Sequence, residues 1–243
     1  MKKSLIICPV GNPVPKLDDF DNENHWRWCD DGRLYETFVV SYNNFLPNGR
    51  TYDKFYTIQG MKWAIAKKLL KTFDYTQYEY IGFLDDDLLI TRDAINKSLQ
   101  IASALEAKMF QLSVDKDSDC SYNILYQNPD LMFSETNFIE VMAPFIHTSI
   151  LPTIEKFWDK YDINTGWGLD SVLCNIVGEK ALVIHNHCMI HPKKQVSDYD
   201  KASATNEWHE ALYRFYPQFM KEEYGIADAQ IPHPQILRRW TKS

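Results

Sequence analysis

Glycine is scarce in this chain, with nine residues in 243. The stretch after the first apolar run, CPVGNPVP (8–15), holds one glycine and three prolines. It does not suit a glycine-rich phosphate loop. No GxSxG elbow occurs, so serine-hydrolase chemistry has no visible nucleophile. The five cysteines (Cys8, Cys29, Cys120, Cys174, Cys188) are odd in number, widely spaced and without a CxxC pair. That argues against a disulfide framework and favours reduced thiols, with Cys8, Cys174 and Cys188 as buried small hydrophobes. No stretch approaches the ~20 apolar residues of a membrane span. The opening run of SLIICPV is broken at once by Pro9, Gly11, Pro13 and Pro15, unlike a secretion signal. Positive charge is in deficit, giving a net charge of −7 and a pI near 5.5. Nucleic acid is therefore not an expected partner. An anionic ligand would need local help from a metal, lysines or a helix N-terminus.

Hydrophobic residues make up 45% of the chain and aromatics 14%, a globular composition. The length suits one large domain. Apolar runs alternate with helical patterns, which predicts an α/β plan. Strands are expected at 4–10, 37–43, 78–84, 109–115, 138–144 and 180–191. Helices are expected at 61–71, 92–107, 151–161 and 169–177, with an aromatic helix around EWHEALYRFYPQFM. We expect residues 1–195 to form the main domain and 196–243 an appendage packed on it. The closing IPHPQILRRWTKS reads either as a lid carrying Arg238 and Arg239 or as a basic tail.

Three stretches carry possible chemistry. YIGFLDDDLLI (80–90) ends an apolar run on Asp85, Asp86 and Asp87. If the strand continued, Asp85 and Asp87 would share one face. Such a pair at a strand's carboxyl end suits Mn²⁺ or Mg²⁺. A solvated turn is the competing reading, and the apolar residues on both sides favour the metal. NTGWGLDSVL (164–173) places Trp167 between two glycines and Asp170 at a helix start. Asp170 reads as a cap or first-turn residue, or as a general base beside an indole on which a sugar stacks. HNHCMIHPKK (185–194) offers His185, His187 and His191 along one strand, followed by Lys193 and Lys194. The spacings match no common zinc pattern. One histidine completing an oxygen-rich site, with the lysines near phosphate, is the better reading.

In order, MKWAIAKKLL…YEYIGFLDDDL (61–88), FIEVMAPFIHT (138–148), TGWGLD (165–170) and ALVIHNHCMIHP (181–192) resemble a glycosyltransferase-like family of plants and bacteria. That family, itself without an assigned activity, shows KWWFAKRFL…YDYIFLWDEDL, VEGMAPVFSR, HGWGLD and a histidine-ended strand. More broadly, the series is similar to GT-A-fold, nucleotide-sugar-dependent glycosyltransferases. The likeness spans roughly residues 4 to 194. The family's arginine-ended VFSR is replaced here at His147 and Thr148, while DDD in place of DED keeps both outer aspartates.

The resemblance implies a GT-A-like (Rossmann-like) single domain with a mixed, mostly parallel central sheet flanked by helices. It implies Asp85, Asp87 and His191 as ligands of Mn²⁺ or Mg²⁺, with Asp85 also a candidate for the donor ribose. Lys62, Trp167, Lys193 and Lys194 would lie on the cofactor, and Asp170, or after it Glu140, would be the catalytic base. The implied partners are a nucleoside-diphosphate sugar and a carbohydrate or glycoconjugate acceptor. The expected product is inverted, and the setting is cytoplasmic, at most peripheral at the inner face of a membrane. Two other classes stay open: a metal-dependent nucleotidyltransferase or phosphohydrolase, and a non-catalytic carbohydrate-binding relic of the same scaffold.

Overall fold

The computed structural model describes residues 3–11, 32–44, 52–192 and 200–242. SLIICPV is buried along its whole length, as a strand covered on both faces must be. It forms β1 (Ser4–Val10), paired in parallel with β2 (Tyr35–Ser41) on one side and β4 (Tyr80–Phe83) on the other. β3 (Lys54–Thr57) extends the sheet beyond β2. On the far side of β4 lie β7 (Phe145–His147), β5 (Met109–Val114), β8 (Ala181–Met189), β6 (Leu131–Thr136) and β9 (Ile236–Thr241), in that order. The pairings make β6 and β7 run against the other strands. The result is the expected single mixed, mostly parallel sheet.

Side-chain alternation along β1 feeds two cores. Leu5 and Ile7 pack with α1 (Lys62–Leu70), α3 (Leu151–Lys160), α4 (Leu169–Val177) and α6 (Tyr216–Tyr224). Ile6, Cys8 and Val10 pack toward α2 (Arg92–Ala104) on the other face. The chain winds outward from β1 through β2 to β3, then returns to place β4 on the opposite side of β1. A crevice opens outside the carboxyl ends of strands at such a reversal. No helix among the described residues is long and apolar enough to cross a membrane.

Several expectations are corrected. The strand expected at 138–144 is instead a loop, and the strand that follows, β7, begins only after Pro144, which has no N–H to donate. β3, β6 and β9 were not anticipated. The carboxyl-terminal run is neither lid nor loose tail: β9 pairs antiparallel with β6, with Arg239 opposite Ser134 and Arg238 opposite Glu135. After α5 (Lys201–Glu210), a π-helical turn (Ala211–Phe215) leads into α6, so this region packs on the same core and adds to the same sheet. Cys188 is half-buried, not fully buried.

Trp240 of β9 stacks on Phe133 at 4.6 Å between ring centroids. Trp240→Ala should lower unfolding free energy by about 1–3 kcal/mol, measured by urea titration. An unaltered midpoint would mean that the segment does not dock.

Candidate functional site

β4 ends at Phe83, so the three aspartates lie in a turn and the alternation argument does not apply to them. The turn is held from two directions. The Asp85 N–H donates to the Met142 carbonyl at 2.9 Å. Leu89 and Ile190 exchange backbone hydrogen bonds of 2.9 and 3.0 Å, forming an antiparallel bridge. That bridge brings the end of β8 to the acidic turn. Asp85, Asp86, Asp87 and His191 thereby line one cleft of about 880 Å³.

Two cations answer the carboxylates. Lys62, the first residue of α1, places Nζ 2.7 Å from Asp85 Oδ1. It also donates to the Val141 and Met142 carbonyls at 2.6 and 2.9 Å. Its donors therefore go to the protein here, and Lys62 ties α1 to the acidic turn and the 140s loop. Loss of hydration within the cleft pushes the Asp85 carboxyl above its usual range; Lys62 pulls it down and Asp87 pushes it up again. His191 Nε2 lies 3.6 Å from Asp87 Oδ2, and Asp87 is 4% exposed. The His191 N–H donates to Ser118 Oγ at 3.0 Å, and its Nδ1 lies 2.9 Å from the Asp119 carbonyl. Burial disfavours the imidazolium, but Asp87, the Asp119 carbonyl and Asp85 outweigh it and hold the group up at about 9.

A second carboxyl pair faces the same cleft. Asp170 sits in the first turn of α4, whose cap is Gly168, so it is a first-turn residue and not the cap. It is buried, and Oδ1 accepts the Ser171 N–H at 2.7 Å. Glu140 is placed by its own N–H, which donates to Oε1 of the fully buried Gln111 at 2.7 Å. Burial raises both carboxyls above the ordinary range, and the charge of Asp170 lifts Glu140 further. Tyr122, also on the cleft, is pushed up to about 12 by burial and by these two carboxylates.

The Trp167 loop requires both of its glycines. A Cβ on Gly166 (φ 87°) would fall 1.9 Å from the Trp63 ring, and one on Gly168 (φ 93°) would fall 2.7 Å from Ala211 Cβ. The loop is braced by Glu207 of α5, which sequence reading missed. Glu207 Oε2 accepts the N–H groups of Asn164 (2.9 Å) and Thr165 (3.1 Å). Oε1 accepts the Gly166 N–H (2.7 Å) and the Thr165 hydroxyl (2.6 Å). No local motif announces such a contact, because the partners are more than 40 positions apart. The same helix brings Lys201, Thr205 and Trp208 to the cleft.

Asp85, Asp87, Glu140, Lys62, Trp167, Asp170 and His191 thus line one cleft. Lys193 and Lys194 lie outside the described residues. The three histidines do not share a face, because a bulge interrupts β8 between Ile184 and Cys188. His185 is buried against Ser134 Oγ at 3.1 Å, and burial pushes it down to about 4. His187 lines a separate groove of about 310 Å³.

The donor types suit a hard divalent cation: carboxylate oxygens and one imidazole whose Nδ1 is engaged by a carbonyl, leaving Nε2 toward Asp87. Among the described residues no three such side chains are already gathered in ligand spacing. Asp87 and His191 are together, whereas Asp85 is drawn to Lys62.

No protein-family model matches the chain, and no curated protein matches it in sequence. Solved structures do match in shape. TarS 1–349 of S. aureus has a TM-score of 0.52 at 10% identity, over 90% of this chain and 73% of that one. The same protein in complex with UDP-GlcNAc scores 0.53 at 10% identity, over 86% and 71%. The mannosyltransferase PcManGT from Pyrobaculum calidifontis, in complex with GDP-Man and Mn²⁺, scores 0.50 at 14% identity, over 95% and 66%. The chain has the α/β fold of GT-A glycosyltransferase structures. At these identities the likeness establishes the fold.

The Glu140–Asp170 pair predicts a pH signature. A carboxyl whose folded pKa is raised stabilises the fold at low pH, and that contribution is lost as pH rises above the ordinary glutamic acid value of about 4.3. Glu140→Gln should therefore show a shallower fall in melting temperature between about pH 5 and about pH 8 than the unmodified chain. Parallel curves would remove Glu140 from the coupled pair.

Proposed function

We propose that this protein transfers a sugar from a nucleoside-diphosphate sugar to a hydroxyl of a carbohydrate or glycoconjugate acceptor, with Mn²⁺ or Mg²⁺ and with inversion. One observation carries this reading. The Asp87–His191 pair and the Glu140–Asp170 pair, of which Asp170 is buried, face a single cleft at the carboxyl ends of β1 and β4. The fold is of a kind solved with UDP-GlcNAc in TarS and with GDP-Man and Mn²⁺ in PcManGT.

Asp85, Asp87 and, after giving up its proton, His191 would hold the ion. When bound, a divalent ion offsets the charge that grows on a departing diphosphate. Lys62 keeps Asp85 placed, and Lys193 and Lys194 would add positive charge beside the leaving group. The acceptor oxygen attacks the anomeric carbon as the bond from that carbon to the diphosphate oxygen breaks, and the electron pair leaves with the diphosphate. The acceptor proton passes to Asp170. A raised pKa makes Asp170 a stronger base than an exposed aspartate once it is ionised. Glu140, lifted further by the Asp170 charge, holds its proton and leaves Asp170 as the ionised partner.

Asp87→Ala should abolish Mn²⁺-dependent binding of UDP or GDP in calorimetric titration. Asp170→Asn should keep that binding but lower transfer by ~10²–10⁴-fold. Release of nucleoside diphosphate rather than pyrophosphate separates this chemistry from nucleotidyl transfer. Proton NMR of the product reads its anomeric configuration. Normal metal-dependent nucleotide binding by Asp87→Ala would sink the assignment.

A further inference from the structure

The cleft has a wall that the acidic residues do not explain. α5 contributes Thr205 and Trp208 to it, and the loop before α4 contributes Thr165 and Trp167. The two segments are fastened together by four hydrogen bonds to one carboxylate, that of Glu207. Three of the donors are successive backbone N–H groups, so the loop wraps Glu207 as it would wrap a bound anion. Gly168 lets α5 come close: the Trp208 Cα would stand 3.3 Å from a Cβ at that position. Beyond Glu210 the π-helical turn rephases the helix. α5 can then direct Trp208 to the cleft while α6 buries Phe219 and Met220 in the core.

We propose that Trp167 and Trp208 form the acceptor subsite, and that the group they take is a pyranose ring, with Glu207 as the positioning residue that sets the two indoles relative to each other. This rests on the transferase reading above. Indoles offer flat apolar faces with a polar edge. A pyranose matches that surface, with an apolar C–H face and a rim of hydroxyls. A nucleobase would also stack on an indole, but the topology places the nucleotide elsewhere. The crevice at the winding reversal is bordered by Pro9, Tyr42 and Gly60 at the ends of β1, β2 and β3. Trp167 instead belongs to the loop that delivers Asp170 three residues later, where an acceptor hydroxyl must arrive.

The test uses the full chain and three probes: methyl β-D-glucopyranoside, methyl N-acetyl-β-D-glucosaminide and methyl α-D-mannopyranoside. Binding is read by saturation-transfer NMR and tryptophan fluorescence, with and without UDP or GDP plus Mn²⁺. At least one probe should bind through its ring C–H protons. Trp208→Ala should weaken it roughly tenfold, the weight of one aromatic contact, and Trp208→Phe should recover most of the loss. Glu207→Gln should weaken it while Trp208 is still present and the melting temperature stays within a few degrees. The proposal is overturned if no probe binds under either condition. It is also overturned if Trp167→Ala and Trp208→Ala both bind as the unmodified chain does, or if nucleoside diphosphate alone displaces the probe. Calorimetry of nucleotide and Mn²⁺ on the same samples is separate: its failure removes the donor reading and leaves the pyranose subsite standing.

Discussion

Mutual repulsion among carboxylates is the constraint around which this molecule is organised. Asp85, Asp86, Asp87, Asp119, Glu140 and Asp170 all border one cleft. Left alone, each would raise the cost of ionising the others. The chain meets this in two ways. It sets a cation against each outer member of the trio, Lys62 against Asp85 and His191 against Asp87. Across the cleft it lets burial and mutual charge keep Glu140 protonated. The acidic trio that looks intolerable in the sequence is thus half of a charge pattern whose other half comes from distant segments.

What brings the halves together is chiefly backbone bonding, joined by the side chain of Lys62. The reciprocal pair between Leu89 and Ile190 joins a turn after β4 to the end of β8, about a hundred positions later. The Asp85 N–H and the three contacts of Lys62 join that turn to α1 and the 140s loop. Rigid elements therefore hold the ionised groups at fixed separation, which an electrostatic site needs if it is not to reorganise when charge appears.

Much of the frame was legible from periodicity. The runs at 4–10, 109–115 and 180–191 are long, apolar and flanked by clear breaks, and they became β1, β5 and β8. Asp87 and His191 could be matched because each sits at the end of such a run. The segments that escaped are short or carry opposing signals. Pro144 delayed β7, and the prolines of IPHPQ concealed the strand that follows them. β6, LMFSET, mixes polar and apolar residues because it lies near the sheet edge, one strand from solvent. Glu207 was unreadable for a different reason: its role consists of four contacts with a remote loop, and nothing beside it in the chain marks it.

The π-helical turn at Ala211–Phe215 also bears on how such a protein can diverge. An α-helix advances roughly 100° per residue, so removing one residue there would swing α5 by that amount against α6. The swing would turn Trp208 away from the cleft and pull Glu207 off the loop before α4, while leaving β4, β8 and the charge pairs at their ends in place. A single length change in one helix would therefore dismantle the tryptophan-bearing wall of the cleft and spare its acidic floor.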